Sequence, residues 1–251
     1  MRRIFIVFLA IFSTNGSVFS QASLRDSSIN MGLVYMSYTA QLPGGSLSDR
    51  FGYNSAIGLA ADFKLKNYFS FGLSGTFMFG TDVKEDPLAS IRNSYGDIID
   101  INGDVADVLM FERGFTVTAT AGWLLPKLGP NPNSGILFKA GTGYLQHKIR
   151  IEANRNNVPQ IQGEYVKGYD RLTSGISFTE FIGYQYLSNR RLINFFAGIE
   201  LVQGFTKSRR DYQFDLMSGD KSQRIDVWYG IRAGWVIPIY QRPPKQYYFN
   251  K

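Results

Sequence analysis

The chain has 251 residues, with 27 Lys and Arg against 20 Asp and Glu, a single His, no Cys and a net charge of +7. The absence of cysteine excludes a disulfide framework, a zinc knot and a thiol nucleophile. The basic excess is scattered through polar segments rather than gathered into a Lys/Arg stripe interleaved with aromatics, so no nucleic-acid partner is expected.

Arg2 and Arg3 open onto an apolar run from Ile4 to Phe12, followed by a polar stretch to Val18-Phe19-Ser20-Gln21. This is the pattern of a secretory signal peptide, and the run is short of the roughly 20 apolar residues that a spanning helix needs. Residues 1–20 are therefore expected to be removed, leaving a mature chain of 21–251 with a charge of +5 and no linker that would divide it. No later apolar run reaches helical spanning length, which excludes a helix bundle in the membrane.

Beyond the signal, the sequence alternates with period two, the pattern of a strand with one apolar face. A first strand lies near Gly32 to Gln41. Next, Tyr53, Ile57, Leu59, Ala61, Phe63 and Leu65 alternate with small residues, Asp62 and Lys64. Only Lys66-Asn67-Tyr68 separates this run from the clearest strand, in which Phe69, Phe71, Leu73, Phe77 and Phe79 alternate with Ser, Gly and Thr. The pair reads as a tight hairpin.

After a long polar segment come Phe115 to Trp123, a turn-rich stretch from Pro126 to Gly135, and a strand from Ile136 to Arg150. The segment from Ser174 to Leu187 carries apolar residues on both parities; placing Glu180 on the polar side turns Phe181, Gly183 and Leu187 outward. A short turn, Asn189-Arg190-Arg191, leads to Ile193, Phe195, Ala197, Ile199 and Leu201, and a last strand runs through Val227, Tyr229, Ile231, Trp235 and Ile237. The count is eight.

Connections 81–113, 151–173 and 207–224 are long and polar, whereas 66–68 and 188–191 are tight. Outer-membrane barrels show this asymmetry, with short periplasmic turns, long outer loops and both termini in the periplasm. The polar face decides between a membrane barrel and a soluble one. It is Gly, Ser, Thr and Ala with a few charges, which suits a crowded lumen rather than a solvated surface dense in Lys and Glu. Aromatics gather in two girdles: Phe63, Phe69, Trp123, Phe138, Phe195 and Trp235 near the periplasmic ends, and Tyr53, Phe79, Phe115, Tyr144, Phe205 and Tyr229 near the outer ends. The expected fold is all-β, an eight-stranded antiparallel transmembrane up-and-down barrel with long extracellular loops. Its strands lie over about residues 30–240, with a periplasmic tail at 241–251, and it belongs in the outer membrane of a Gram-negative cell.

The run Phe181-Ile182-Gly183-Tyr184-Gln185-Tyr186-Leu187 and the end Gly234-Trp235-Val236-Ile237-Pro238-Ile239-Tyr240 resemble segments of small OmpA/OmpX-like outer-membrane barrels, particularly uncharacterised barrel proteins of the Bacteroidetes. The end segment looks like the Gly-x-x-Φ-x-Φ signal read by the barrel assembly machinery, which the resemblance implies as a partner in biogenesis. It departs from that pattern by continuing through Gln241 to Lys251.

Three charges share lumen parity and similar depth on this reading: Glu180, Glu200 and Arg232. Unpaired charge in a narrow lumen costs several kcal/mol per ion, so Arg232 bridging both carboxylates is expected, as a structural plug or, alternatively, as the gate of a small pore for solutes. His147 shares the lumen parity near the outer rim, where a solvated bystander is the expectation; a lipid A-modifying enzyme is the further alternative, although no neighbouring sequence supports a triad. The acidic segment from Asp97 to Asp107 lacks the spacing of an EF-hand and reads as a solvated loop, with a weak Ca²⁺ site as the alternative. Arg209 and Arg210, among the loop cations, are candidates for contact with lipopolysaccharide phosphates. The expectation is thus a non-enzymatic barrel without cofactor or metal, in contact with outer-membrane lipids and lipopolysaccharide. Its role is structural, adhesive or partner-binding through its loops, with the periplasmic tail as a second place for a protein partner.

Overall fold

A computed structural model of the chain describes residues 27–154, 157–189 and 193–240. The expected signal peptide, the tail 241–251 and Arg190-Arg191 of the last periplasmic turn lie outside the described residues. Eight antiparallel strands pair in sequence order and close on themselves: β1 (Met31–Gly45), β2 (Asn54–Lys64), β3 (Phe69–Gly80), β4 (Asp107–Leu125), β5 (Gly135–Asn154), β6 (Thr173–Leu187), β7 (Asn194–Ser208) and β8 (Gln223–Ile239). Closure is made by β1 on β8, in a register that sets Gly32 against Ile239 and Gly45 against Asp226. With no free edge every backbone group in the wall has a neighbouring strand to bond to, which is what a lipid environment requires.

The alternation read from the sequence maps onto the wall. Phe69, Phe71, Leu73 and Phe77 on β3, Phe115, Val117 and Trp123 on β4, and Tyr229, Ile231, Trp235 and Ile237 on β8 all face outward and exposed. Both aromatic girdles lie on this outer surface. A wall this apolar, bounded by aromatic rings at two heights, belongs in lipid, and the chain is an outer-membrane-type transmembrane β-barrel. No helix among the described residues is long and apolar enough to cross a membrane.

Five strands, β1, β4, β5, β7 and β8, run further toward the outer side than their periodicity indicates, and the inward Val108, Met110, Ile151 and Ala153 of the extended β4 and β5 pack into a buried cluster there. The β4–β5 hairpin pairs up to Asp107 with Asn154. The outer loops are thereby shorter than read, at 46–53 (L1), 81–106 (L2), 155–172 (L3) and 209–222 (L4).

Candidate functional site: a filled lumen under a tied cap

The lumen is filled from its periplasmic end upward. The long connection 126–134 folds beneath the barrel as a floor, with Asn131, Asn133 and Ser134 buried. Asn131 Nδ2 donates to the carbonyl of Leu187 at 2.6 Å and Ser134 Oγ to the same oxygen at 3.1 Å. The buried Lys64 Nζ donates to Asn133 Oδ1 at 3.0 Å and to Ser28 Oγ at 2.8 Å. Its unusual length for a periplasmic turn thus has a use.

Above the floor sits an apolar layer of Met31, Leu33, Tyr35, Leu124, Leu137, Phe181, Leu187, Phe196 and Val236. Phe181 and Tyr35 pack edge-on against Phe196, with ring centroids 5.8 and 5.2 Å apart. The Phe181 ring lies over the facing glycines Gly183 and Gly198, where a Cβ would meet its Cζ at 2.5 and 2.8 Å. Backbone of the opposing strand comes closer still, at 2.3 Å in each case, so neither position has room for a side chain.

This corrects the orientation expected for β6. Ile176, Phe178, Glu180 and Ile182 face outward, while Phe181, Gln185 and Leu187 face the lumen. Glu180 therefore does not meet Glu200 and Arg232; it is exposed on the lipid-facing wall, paired in register with Ala140 and Leu201. A carboxyl group among lipid-facing side chains is destabilising, though less so than Lys or Arg. Glu180→Leu is expected to raise the urea midpoint of the barrel in lipid vesicles, by about 1 kcal/mol of stability. A drop instead would mean that the carboxyl has a partner.

Two ion pairs form above the apolar layer, among the described residues. Glu200 Oε1 binds Arg232 Nη1 at 2.6 Å, and Asp62 Oδ2 binds Lys139 Nζ at 2.6 Å, with both carboxylates buried. Arg232 Nε donates to Ser37 Oγ at 3.1 Å, and its guanidinium lies 5.8 Å from the Phe196 ring. Lys139 Nζ stands 4.5 Å over the Tyr35 ring, whose hydroxyl donates to Gln185 Oε1 at 2.8 Å. The expected three-charge bridge is a pair of ion pairs, in which Asp62 and Lys139 supply what Glu180 does not. Both residues lie on the inward parity, so the signal was present.

Higher still, His147 is fully buried rather than solvated at the rim, which corrects the expectation for it. Its Nε2 lies 2.9 Å from Asp226 Oδ2, which also accepts from Thr206 Oγ1 at 2.5 Å. Phe51 and Trp228 pack edge-on against the imidazole at 5.8 and 5.7 Å. Beside it, the buried Glu112 accepts from Asn54 Nδ2 at 2.7 Å.

The outer loops continue this packing. Leu47 and Phe51 of L1, Leu88 and Ile98 of L2, and Val158, Ile161 and Tyr169 of L3 join Leu145, Ile149, Val202 and Trp228 of the barrel in one buried cluster. L4 leans on it through Phe214, 5.2 Å from the Tyr169 ring. Phe214 needs a glycine at Gly168, where a Cβ would stand 2.1 Å from the ring.

One ionic chain then ties all four loops. Glu85 of L2 accepts from Arg50 Nε of L1 and from Arg171 Nε of L3, each at 2.6 Å. Arg171 goes on to Asp215 of L4, with Nη1 to Oδ1 at 2.9 Å and Nη2 to Oδ2. Burial lowers the Arg50 guanidinium from its ordinary pKa, and the Glu85 carboxylate opposes that shift. For Arg171 burial also works downward, but Asp215 and Glu85 outweigh it and raise the pKa.

Of the candidate phosphate contacts, Arg210 forms a two-pronged pair with Asp170, Nε to Oδ1 at 2.8 Å. Arg209 is exposed, its Nε donating to Ser174 Oγ at 2.6 Å. In the acidic segment, Asp100 Oδ1 accepts from the backbone of Asn102 at 2.8 Å and of Asp104 at 3.1 Å, fixing a tight turn at the tip of L2. Among the described residues no group of three or more acidic, His or Cys side chains is placed to hold a metal ion.

No protein-family model and no curated protein matches the chain. Among solved structures it is similar to Ail, the attachment invasion locus protein of Yersinia pestis. In complex with the heparin analogue sucrose octasulfate, that protein is 8% identical, with a TM-score of 0.41, covering 83% of this chain and 99% of Ail. A second Ail structure gives 7%, 0.43 and the same coverage. The transport unit of the autotransporter AIDA-I from Escherichia coli gives 6% and 0.30, over 90% of this chain and 94% of that one. At these identities the likeness concerns architecture alone, which the strand pairing already establishes.

Proposed function

We propose that this chain is a non-conducting outer-membrane barrel that works through its extracellular cap, as a fixed platform for an adhesive or other protein partner. The observation that carries this reading is the tie of L1, L2, L3 and L4 through Arg50, Glu85, Arg171 and Asp215. Loops held against one another before binding lose little entropy on binding. The outer face of the cap offers Tyr95, Tyr165, Tyr212 and Met217, all exposed, and aromatic side chains are enriched in protein interfaces.

The finer resemblance to OmpA/OmpX-like barrels of the Bacteroidetes fits this role, and neither a lipid A-modifying reaction nor a pore is favoured. His147 lies beneath Phe51 and Trp228, and the lumen is filled at three levels. Two measurements test the reading. Planar bilayers containing the protein are expected to show no unitary conductance, and steps of defined amplitude would overturn the closed barrel. In cells that display the chain and attach to a host surface, replacing Tyr95, Tyr165 and Met217 by Ser is expected to abolish attachment while heat-modifiable migration is retained. Unchanged attachment would remove the cap from the function.

A further inference from the structure

The outward charges of the strands are unevenly placed. None faces outward on β1, β2, β3 or β8, where Leu42, Tyr53, Phe79 and Ile225 occupy the outer ends of the wall. All lie on β4 to β7, and above the outer girdle cations dominate: Arg113, Lys148, Arg150 and Lys207, followed by Arg209 just past the end of β7. Arg150 is neutralised by Glu152. Asp107 sits six residues above Arg113, and Lys148 lies 3.9 Å from Asp170, at the limit of an ion pair.

Their height is set by the strands. Arg113 is ten residues above Trp123 on β4, Lys148 ten above Phe138 on β5, and Lys207 twelve above Phe195 on β7. A strand rising about 3.3 Å per residue and tilted about 40° gains roughly 2.5 Å per residue along the membrane normal. These cations therefore stand about 25–30 Å above the periplasmic girdle, where an apolar band about 25 Å tall gives way to headgroups.

Arg113 and Lys148 are also direct cross-strand partners on the outer face. Like charges in that position repel; Arg113 lies 4.9 Å from the Phe111 ring, donates to the carbonyl of Glu112 at 2.8 Å, and has the inward Glu112 carboxyl within electrostatic reach. An anion between the two would turn the repulsion into attraction. Arg209 is steadied against the wall by Ser174, through Nε at 2.6 Å and Nη2 at 3.4 Å.

We propose that Arg113, Lys148, Lys207 and Arg209 form a one-sided site for the phosphate groups of a phosphorylated, acylated glycolipid of the outer leaflet, its acyl chains lying against the wall of β4 to β7. Arg210 has no part in it, being held by Asp170. Arginine supplies paired hydrogen bonds to phosphate and lysine a point charge. The site rests on the membrane-spanning fold and is independent of any partner at the cap.

The test is native mass spectrometry of the full barrel in detergent, titrated with bisphosphorylated lipid A, with the same lipid after phosphatase treatment, and with inorganic phosphate as competitor. The expected result is retention of bisphosphorylated lipid A, with binding about tenfold weaker or less in Arg113→Glu/Lys148→Glu and in Lys207→Glu/Arg209→Glu. Lys84→Glu in L2 should bind as the unmodified protein does. Arg113→Gln/Lys148→Gln serves if a reversal does not reach the heat-modifiable fold. Equal binding of the dephosphorylated lipid, or undiminished binding by the folded variants, would overturn the site. Displacement by millimolar inorganic phosphate would overturn the lipid as its ligand.

Discussion

Glu85→Ala is expected to release the cap while leaving the barrel intact. Arg50 and Arg171 have side chains only 7% and 4% exposed, and both point at the same carboxylate. Removing one partner of a buried pair leaves the other desolvated and unmatched, at a cost of about 3–5 kcal/mol. Here two cations lose their partner at once. Arg50 keeps Thr173 Oγ1 at 3.1 Å, a neutral acceptor, and Arg171 keeps Asp215, so the cost falls mainly on L1 and L2. Hydrogen exchange in L1 and L2 should accelerate by about a hundredfold, the lower end of that cost. Trypsin should cut at Lys84 or Arg92, and heat-modifiable migration should be unchanged. Glu85→Gln, which still accepts hydrogen bonds, should fall between. Unchanged exchange would show that the apolar cluster beneath Leu47, Phe51 and Leu88 holds the cap without the ions.

None of that chain was legible in the sequence. The wall was, because period two is imposed by lipid on one side along the full length of a strand, and the range Phe69–Gly80 could be read to the residue. Loops carry no such period. Glu85 joins residues 35 positions before and 86 after it, and only closure of the barrel brings those segments over one mouth. The sequence showed plentiful charge in the loops, and it was read as available to solvent or lipopolysaccharide. In the fold Arg50, Arg171 and Arg210 are spent on carboxylates of neighbouring loops.

The misreading of β6 has a different physical source. The expectation that a lumen is small and polar holds for most of β3, whose inward residues are Ser70, Gly72, Ser74 and Thr76 before the buried Met78. It fails where the lumen is plugged by rings. Phe181 and Phe196 face inward on adjacent strands, so β6 is apolar on both faces and its parity carries no direction. The rule that charge belongs inside then chose wrongly, because Glu180 is an outward carboxyl. The glycines at 183 and 198 lie on the inward face, where a side chain on either would meet both the backbone of the opposing strand and the Phe181 ring. That crowding depends on their cross-strand pairing, which the sequence does not state.

The lumen charges yield the second large effect. Arg232→Ala is expected to destabilise the barrel by about 3–5 kcal/mol, since it strands Glu200 in a layer closed by Phe196 below and Trp228 above. Glu200→Ala should cost a similar amount by stranding Arg232. The double replacement Glu200→Leu/Arg232→Met should return to within about 1 kcal/mol of the unmodified protein, because apolar side chains of similar volume substitute well for a buried pair. The sum of the single effects would then exceed the double by several kcal/mol, a coupling that a double-mutant cycle of urea midpoints in vesicles reads directly. Conductance separates this plug from a gate. A gate formed by Arg232 predicts that Arg232→Ala opens a pore. The filled lumen predicts silence, because the floor of Asn131 and Asn133, the rings of Tyr35, Phe181 and Phe196, and the layer of His147 and Trp228 all remain. A variant that is destabilised yet non-conducting identifies the ions as part of the packing; one that conducts would mean that these layers yield when the ion pair is gone.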